Sequence, residues 1–269
     1  IKCTLIFYEF SLISFGVILT VEMAVISLFL TIAYVKTGER LSFLSFRFDV
    51  VKALISQSWP LLFSALSGVM YTQIDKLMIG SHLGMKELGI YAVYLQIMMI
   101  PRLFIASLNV SFTTLVSKNY TAGDDKFWPF LAKVLSFNTW LAILSATLLT
   151  VIGVPLIKFL FGNDFSCESY ALPMIIAISY VVQAPGCFRV EYLILSSDAK
   201  AIFYFRIISV TCNIILNYIL IPIYGILGTA ISGLITTIVY EIILNSIPKQ
   251  SRPYQKVYLS AFYHAIIQK

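Results

Sequence analysis

The stretch SWPLLFSALSGVMYTQIDKLMIG, residues 58–80, indicates the solvent in which this protein folds. No charged residue occurs before Asp75, and Lys76 is the only other charge in the stretch. A helix that crosses a bilayer needs about 20 mainly apolar residues, and this segment supplies them. The segment therefore predicts a transmembrane helix, and the two charges close to its end require an explanation of their own.

The composition of the whole chain agrees with this interpretation. Of 269 residues, 59% are hydrophobic and 12% are charged, whereas a soluble domain carries about 25% charged residues. We predict an all-α polytopic membrane bundle of about seven transmembrane helices. The predicted spans cover residues 11–35, 58–80, 88–113, 131–155, 171–195, 202–222 and 226–247. Between the first two, residues 41–57 are mixed in polarity and predict an amphipathic segment lying along the interface.

The distribution of Lys and Arg predicts the orientation. When these residues are sorted onto alternate sides of the spans, thirteen fall on one side and only Lys76, Lys86 and Lys158 on the other. Cytoplasmic loops carry the excess of positive residues, so the first side is predicted to be cytoplasmic. The excess of basic residues, 19 Lys and Arg against 13 acids, is thereby explained by membrane topology. No nucleic acid is expected as a partner.

Catalytic and metal-binding patterns are absent from the sequence. The four cysteines and two histidines show no ligand spacing, and there is no nucleotide-binding loop, HExxH or GxSxG motif. We predict that the protein is not an enzyme and uses no cofactor or metal.

A stripe of small and hydroxyl residues on the second predicted helix leads to Asp75. Its members share one helical face: Ser64, Ser67, Gly68, Tyr71 and Asp75. In one interpretation they line a watery cavity, where Asp75 contacts substrate or holds a coupling cation. In the other they are packing residues that bond across a helix interface. The sequence leaves both open.

Arg102 is the stronger candidate for a substrate contact. It lies about 20 Å along a helix that starts near residue 88, and an arginine at that depth almost always faces protein or water. Pro101 precedes it and is expected to kink the helix. Gln96 and Asn109 are further candidate substrate contacts on this helix. The competing interpretation is a buried arginine that pairs with an acid only to fix packing.

Other polar residues within the spans are weaker candidates. Glu22 in the first helix is a candidate proton carrier, together with Asp75. Arg189 follows Pro185 and Gly186, with Glu191 nearby, and either binds substrate or reaches the interface. The sixth span carries a polar face that suits either a substrate groove or interhelical hydrogen bonds, formed by Arg206, Ser209, Asn213 and Asn217.

Three segments, in order, resemble one family. Residues 58–97, with Trp59-Pro60, Ile74-Asp75 and the "LGIY" of 88–91, resemble the seventh and eighth helices of bacterial polysaccharide flippases. Those O-antigen and capsule transporters belong to the multidrug/oligosaccharidyl-lipid/polysaccharide exporter superfamily. "PLIKFLFGNDF" (155–165) and "NIILNYILIPIYGILGTAISG" (213–233) are similar to later segments of the same family.

The resemblance implies two bundles of six helices related by pseudo-symmetry. On that basis, and because the sequence begins with Ile, we expect most of the N-terminal bundle to be missing. Residues 1–35 would be the last helix of that bundle, 36–56 a cytoplasmic linker, 57–250 the C-terminal bundle and 251–269 a cytoplasmic tail.

The function implied is the flipping of an undecaprenyl-diphosphate-linked sugar repeat by alternating access in the bacterial cytoplasmic membrane. The expected partners are the lipid-linked oligosaccharide and membrane lipids, and further candidates are a polysaccharide polymerase and a chain-length regulator. A multidrug exporter of the same superfamily is the main alternative and should have an acidic cavity. A membrane glycosyltransferase or polymerase, which should show a long outward loop, and a seven-helix receptor are weaker alternatives.

Overall fold

The computed structural model describes residues 12–36, 47–162, 170–196 and 198–267, and nearly all of these residues are helical. No strand occurs among them, which confirms the predicted all-α class. The helices in chain order are α1 (Leu12–Lys36), α2 (Phe48–His82), α3 (Met85–Thr121), α4 (Asp124–Phe161), α5 (Ala171–Gln183), α6 (Arg189–Leu195), α7 (Ala199–Tyr224), α8 (Ile226–Ile238) and α9 (Arg252–Ile267).

Within the described residues, five helical stretches are long and apolar enough to cross a bilayer. They coincide with the last five predicted spans and cover Met85–Thr121, Asp124–Phe161, Ala171–Leu195, Lys200–Tyr224 and Ile226–Leu244. The protein is therefore a multi-pass membrane protein. The first two predicted spans fall on α1 and α2, and their crossing of the bilayer stays a prediction.

The chain divides into two compact units, residues 1–55 and 56–269. The described part of the first unit contains α1, which is exposed from residue 20 to Lys36, and the beginning of α2. Because α2 begins at Phe48, it includes the last residues of the segment predicted as an interfacial linker; residues 37–46 of that segment lie outside the described residues.

Two apolar clusters at opposite ends of the helices show that the second unit is an up-and-down bundle. One cluster joins the end of α3 to the beginning of α4, through residues such as Val116 and Phe127. The other joins the beginning of α3 to the end of α4, through residues such as Tyr94 and Ile157. Neighbouring helices joined by short turns therefore run antiparallel, as in other helical bundles.

Residues 251–269, predicted as a cytoplasmic tail, contain an ordered helix. α9 packs against α4, and Tyr254, Tyr258 and Ala261 are almost completely buried in the cluster at that end of the bundle. Their spacing of four and three residues places them on one helical face. This spacing is visible in the sequence, but the spacing alone does not identify the helix against which the apolar face packs.

The fifth predicted span is interrupted. α5 ends at Gln183, a 3₁₀ turn covers Ala184–Gly186, and α6 begins at Arg189. Pro185 explains the interruption, because proline has no N–H to donate and its ring clashes with the preceding helical turn. Such a break frees backbone carbonyl groups, which need partners when they are buried.

Two tyrosines of α9 supply partners at this break. The Tyr258 hydroxyl donates to the Val182 carbonyl oxygen at 2.6 Å, and the Tyr254 hydroxyl donates to that of Pro185 at 2.9 Å. Burial raises the pKa of Tyr258 to about 12, so its hydroxyl keeps the donated proton at neutral pH. The C-terminal helix thus stabilises the broken helix directly.

We predict that Tyr254→Phe and Tyr258→Phe each lower the free energy of unfolding by about 1–3 kcal/mol, because a buried carbonyl group loses its donor. The measurement is thermal or denaturant unfolding of the purified protein in detergent. The matched control is Tyr224→Phe, since Tyr224 is 55% exposed. Equal stability of all three variants would show that the hydroxyl contacts at the break contribute nothing.

Candidate functional site

The second unit contains a small open cavity. Eight of its nine lining residues carry a hydroxyl, amide or charged group. The lining residues come from α2, α5, α7 and the end of α8 and are Tyr71, Gln183, Arg206, Ser209, Val210, Thr236, Thr237, Tyr240 and Glu241.

One arginine lines this cavity, and a second is hydrogen-bonded to a lining residue. Arg206 is half-buried in the wall, and its guanidinium carbon lies 4.6 Å from the centre of the Tyr240 ring. Arg102 is exposed beside the wall, where its Nη2 atom donates to Oε1 of Gln183 at 2.6 Å and its guanidinium lies 5.6 Å from the Tyr180 ring centre. Both contacts fix the position of a guanidinium group and leave several of its donors available for a ligand.

Irregular backbone builds two parts of the wall. Gln183 is the last residue of α5 before the break, and Tyr240 and Glu241 belong to a π-helical segment, Val239–Leu244, that continues α8. The side-chain amide nitrogen of Asn245, the residue that follows this segment, donates to the Tyr240 carbonyl oxygen. At membrane depth, irregular backbone is tolerated where protein buries it or where it lines a cavity, and π-helical turns occur frequently at functional sites.

A buried ion pair connects the two irregular segments. Nη1 of Arg189 binds Oε2 of Glu241, and Nη2 of Arg189 donates to the Glu241 carbonyl oxygen at 3.3 Å. The partner is therefore a residue 52 positions away rather than Glu191, which the sequence analysis noted as the nearby acid. Arg189 is only 2% exposed and is not a wall residue, so the structure places it behind the cavity.

Gly186 is required where these segments meet. A Cβ atom at this position would overlap the Glu241 carboxylate oxygens, so a larger residue would have to displace the acid. The glycine therefore allows the close approach of the 3₁₀ turn to the ion pair.

Asp75 lies in a separate buried network and not in the cavity wall. The Asn217 amide nitrogen donates to Oδ1 of Asp75 at 2.6 Å and to Oδ1 of Asn213 at 3.2 Å. Asn213 continues the network to Ser232, whose hydroxyl donates to the Asn213 carbonyl oxygen at 3.2 Å. The Tyr91 hydroxyl also interacts with the Asp75 carboxyl group. This geometry favours the interpretation of Asp75 as an interhelical contact.

The predicted stripe on α2 thus has members in different surroundings. Tyr71 reaches the cavity and its hydroxyl donates to the Gly233 carbonyl oxygen at 3.5 Å. Ser67 is buried and donates to a carbonyl oxygen of its own helix, that of Phe63. The side chain of Ser64 lies outside the described part of the chain.

The remaining predicted site residues do not line the cavity. Gln96 is exposed on α3, and Asn109 is half-buried on the same helix. Glu22 is exposed on α1 in the first unit. Their proposed roles as substrate contacts or as an ion carrier therefore gain no support from the cavity of the second unit.

Sequence reasoning selected some of the wall residues and missed others. Arg206 and Ser209 were placed on a polar face that suited either a substrate groove or interhelical hydrogen bonds, and both line the cavity. Gln183 and Glu241 were not selected. The available signal was weak but present, since both are strongly polar residues inside predicted spans and intramembrane polar groups usually mark functional sites.

The arrangement is chemically suited to an anion with several oxygen atoms. Within the described residues, the only carboxylate within 4 Å of an arginine is Glu241, which binds Arg189, so Arg102 and Arg206 have no acidic partner. Guanidinium groups form paired hydrogen bonds with phosphate and carboxylate oxygens. Hydroxyl and amide groups of the wall could complete the coordination of a polar ligand.

Broken helices beside a polar site within an apolar bundle are a common feature of membrane transporters. Comparison with protein families agrees: the MatE family matches residues 60–219, and a family described as "Polysaccharide biosynthesis protein" matches residues 2–116. The chain belongs to the MatE family, whose members are transporters rather than enzymes. The resemblance and the non-enzymatic class predicted from the sequence are confirmed.

Two curated proteins are similar to this chain. A capsular polysaccharide biosynthesis protein, CapF of Staphylococcus aureus, is 25% identical over 64% of the chain and 44% of its own length. A probable flippase, AglR of Haloferax volcanii, is 27% identical over 68% of the chain and 39% of its own length. The chain thus spans less than half the length of these relatives. No solved structure matches it.

We predict that Gly186→Ala destabilises the protein by about 1–3 kcal/mol, the usual cost of overpacking, because the added methyl group displaces the Glu241 carboxylate. The matched control is Gly153→Ala within α4, where an added Cβ meets nothing within 4 Å and helix propensity favours alanine by about 0.5–1 kcal/mol. Unfolding in detergent measures both changes. A stabilised Gly186→Ala variant would contradict the close approach.

A second prediction separates the two interpretations of Asp75. Asp75→Asn keeps an acceptor for Asn217, so we expect near-normal stability and transport, whereas Asp75→Ala should lose about 1–3 kcal/mol because Asn217 loses its partner. The measurements are unfolding in detergent and transport in cells at matched protein levels. An Asp75→Asn variant that is stable but inactive would instead assign ion coupling to the carboxylate.

Proposed function

We propose that this chain is part of a flippase that moves a lipid-linked oligosaccharide between the leaflets of a membrane. The observation that carries the proposal is a pair of guanidinium groups without acidic partners in the described residues, Arg206 in the cavity wall and Arg102 hydrogen-bonded to the wall residue Gln183. The names of the two relatives, a capsular polysaccharide biosynthesis protein and a probable flippase, support the same function.

The charge of the cavity favours a diphosphate group as the part of the substrate that is held. A diphosphate is too strongly hydrated to enter hydrocarbon alone, because burying an unpaired charge is very costly. An arginine near the middle of a bilayer itself costs about 2.5–3.5 kcal/mol on insertion scales. Arg102, about 20 Å along its predicted span, is therefore difficult to explain by packing alone, and binding of an undecaprenyl-diphosphate-linked sugar repeat accounts both for it and for Arg206 in the cavity wall.

Other wall residues suit the sugar. Ser209, Thr236, Thr237 and Gln183 supply hydroxyl and amide groups on the same wall as Arg206. Such groups can donate to and accept from sugar hydroxyls. The identity of the sugar repeat would depend on these residues and on the other body of the transporter.

Alternating access requires a second body against which this bundle moves, and we propose that α1 belongs to that body. The break at Ala184–Gly186 and the π-helical segment Val239–Leu244 are suitable points of bending, because interrupted helices near a central binding site are a common feature of transporters. Glu22 stays a proposed carrier of a coupling ion, and Asp75 is the alternative carrier that the Asp75→Asn variant tests.

The proposed location is the bacterial cytoplasmic membrane, with the basic loops on the cytoplasmic side. A polysaccharide polymerase and a chain-length regulator are proposed partners, since both would handle the flipped product. The alternative of a multidrug cation exporter is less well supported. Glu241 is the one acidic residue among the wall residues given above, and it is bound to Arg189.

We predict that Arg102→Ala and Arg206→Ala each reduce export of polysaccharide by tenfold or more. The reason is that hydrogen bonds to charged groups contribute about 1.5–3 kcal/mol. The measurement is the amount of surface polysaccharide in a bacterium that lacks its own flippase and expresses the full-length protein. Arg252→Ala is the matched control, because Arg252 is exposed at the beginning of α9.

The wild-type protein must be tested with its native lipid-linked donor so that a sugar mismatch is excluded. Restoration by wild type and by Arg252→Ala, with loss in the other two variants, would support the proposed function. Full restoration by the double variant Arg102→Ala/Arg206→Ala would contradict a diphosphate site at this cavity. Failure of wild type with its native donor would favour a different substrate class.

A further inference from the structure

The wall of the cavity contains a carboxylate that the proposed anionic substrate does not need. Glu241 lines the cavity together with Arg206 and Tyr240. If it were free, its negative charge would lie on the same wall as the guanidinium group of Arg206 and would oppose binding of an anion. The structure shows how this charge is countered.

Arg189 neutralises Glu241 and is not itself among the wall residues. Its Nη1 atom binds Oε2 of Glu241, and both side chains are almost completely buried, at 2% and 4% exposed. The guanidinium is therefore unavailable to the ligand. Arginine stays protonated under all physiological conditions, so the compensation is permanent.

A cage of tyrosine rings holds Arg189 in this position. The guanidinium carbon lies 5.1 Å from the ring centre of Tyr258, 5.3 Å from that of Tyr254 and 5.9 Å from that of Tyr240. The faces of aromatic rings attract cations, most strongly where water is excluded. The hydroxyls of Tyr254 and Tyr258 are themselves anchored at the helix break, so the C-terminal helix fixes the arginine.

Tyr240 connects the buried pair to the cavity. Its ring contacts Arg189 on the buried side and Arg206 at the wall, at 5.9 and 4.6 Å from the respective guanidinium carbons. Glu241 is the next residue in the chain. The charges of Arg189, Glu241 and Arg206 are therefore close enough to influence one another, and Arg189 and Glu241 are almost completely buried, where charges interact more strongly than in water.

We propose that Arg189 determines the charge selectivity of the cavity. It is a positioning residue that acts through Glu241: by neutralising this acid, it leaves the positive charges of Arg102 and Arg206 to bind an anionic substrate. Without Arg189 the same wall carries an uncompensated carboxylate, which offsets one of the two positive charges and so weakens binding of an anion and favours binding of an organic cation. The inference rests on the proposed function, because it assumes that this cavity receives the substrate.

The test compares Arg189→Gln, Glu241→Gln and the double variant of the full-length protein, purified in detergent. The probes are a fluorescent farnesyl diphosphate, the matching fluorescent farnesol without the diphosphate, and ethidium as the organic cation. Binding is titrated at two salt concentrations, and thermal stability is measured for every variant. Glu191→Gln is the control, because it removes a nearby carboxylate that is not among the wall residues.

We expect Arg189→Gln to weaken binding of the diphosphate probe by about tenfold and to strengthen binding of ethidium by a similar factor. Glu241→Gln should strengthen diphosphate binding, and the double variant should return close to wild type because the two lost charges cancel. Binding of the farnesol probe and binding by Glu191→Gln should not change.

Equal losses of diphosphate binding in Arg189→Gln and Glu241→Gln, without a gain in ethidium binding, would overturn the inference and leave the pair a structural contact. If Arg189→Gln does not fold, Glu241→Gln decides alone, since weaker diphosphate binding contradicts the inference. Arg206→Ala separates the two proposals. If wild-type binding does not depend on Arg206, the proposed site fails and the inference with it; if it does depend on Arg206, a negative result concerns Arg189 only.

Discussion

The buried ion pair between Arg189 and Glu241 is the interaction on which the irregular half of the bundle depends. It joins the segment after the helix break to the π-helical segment at the end of α8. Removing one member would leave a buried charge without a partner, which typically costs 3–5 kcal/mol. The pair therefore joins the two irregular backbone segments. Gly186, which has no side chain, leaves room for their close approach.

The C-terminal helix extends this dependence to the far end of the sequence. Tyr254 and Tyr258 place rings around Arg189 and donate hydroxyl hydrogen bonds to carbonyl oxygens at the break. The two contacts support each other, because a ring anchored through its hydroxyl has less freedom to leave the guanidinium. A segment that lies outside the five long apolar spans thus contributes to the geometry of a cavity within them.

The polar face of α7 has two functions along its length. Arg206 and Ser209 line the cavity, whereas Asn213 and Asn217 form the network that includes Asp75 of α2. The sequence pattern predicts a single polar face. Residues spaced three and four positions apart share one side of a helix whether that side lines a groove or contacts another helix, so the pattern does not distinguish the two. Which residues meet a neighbouring helix depends on where that helix ends and how it packs, and a local pattern does not contain that information.

The sequence by itself determined the all-helical membrane class, the last five spans and the family. These follow from local properties: apolar length, charge counts, and motifs in a fixed order. The partners of Arg189 and Asp75, the position of Arg206 in the cavity wall and the packing of α9 were decided only by tertiary structure. Arg189 and Glu241 are 52 positions apart, and Asp75 and Asn217 are 142 apart, so their pairing exists only after the helices have packed.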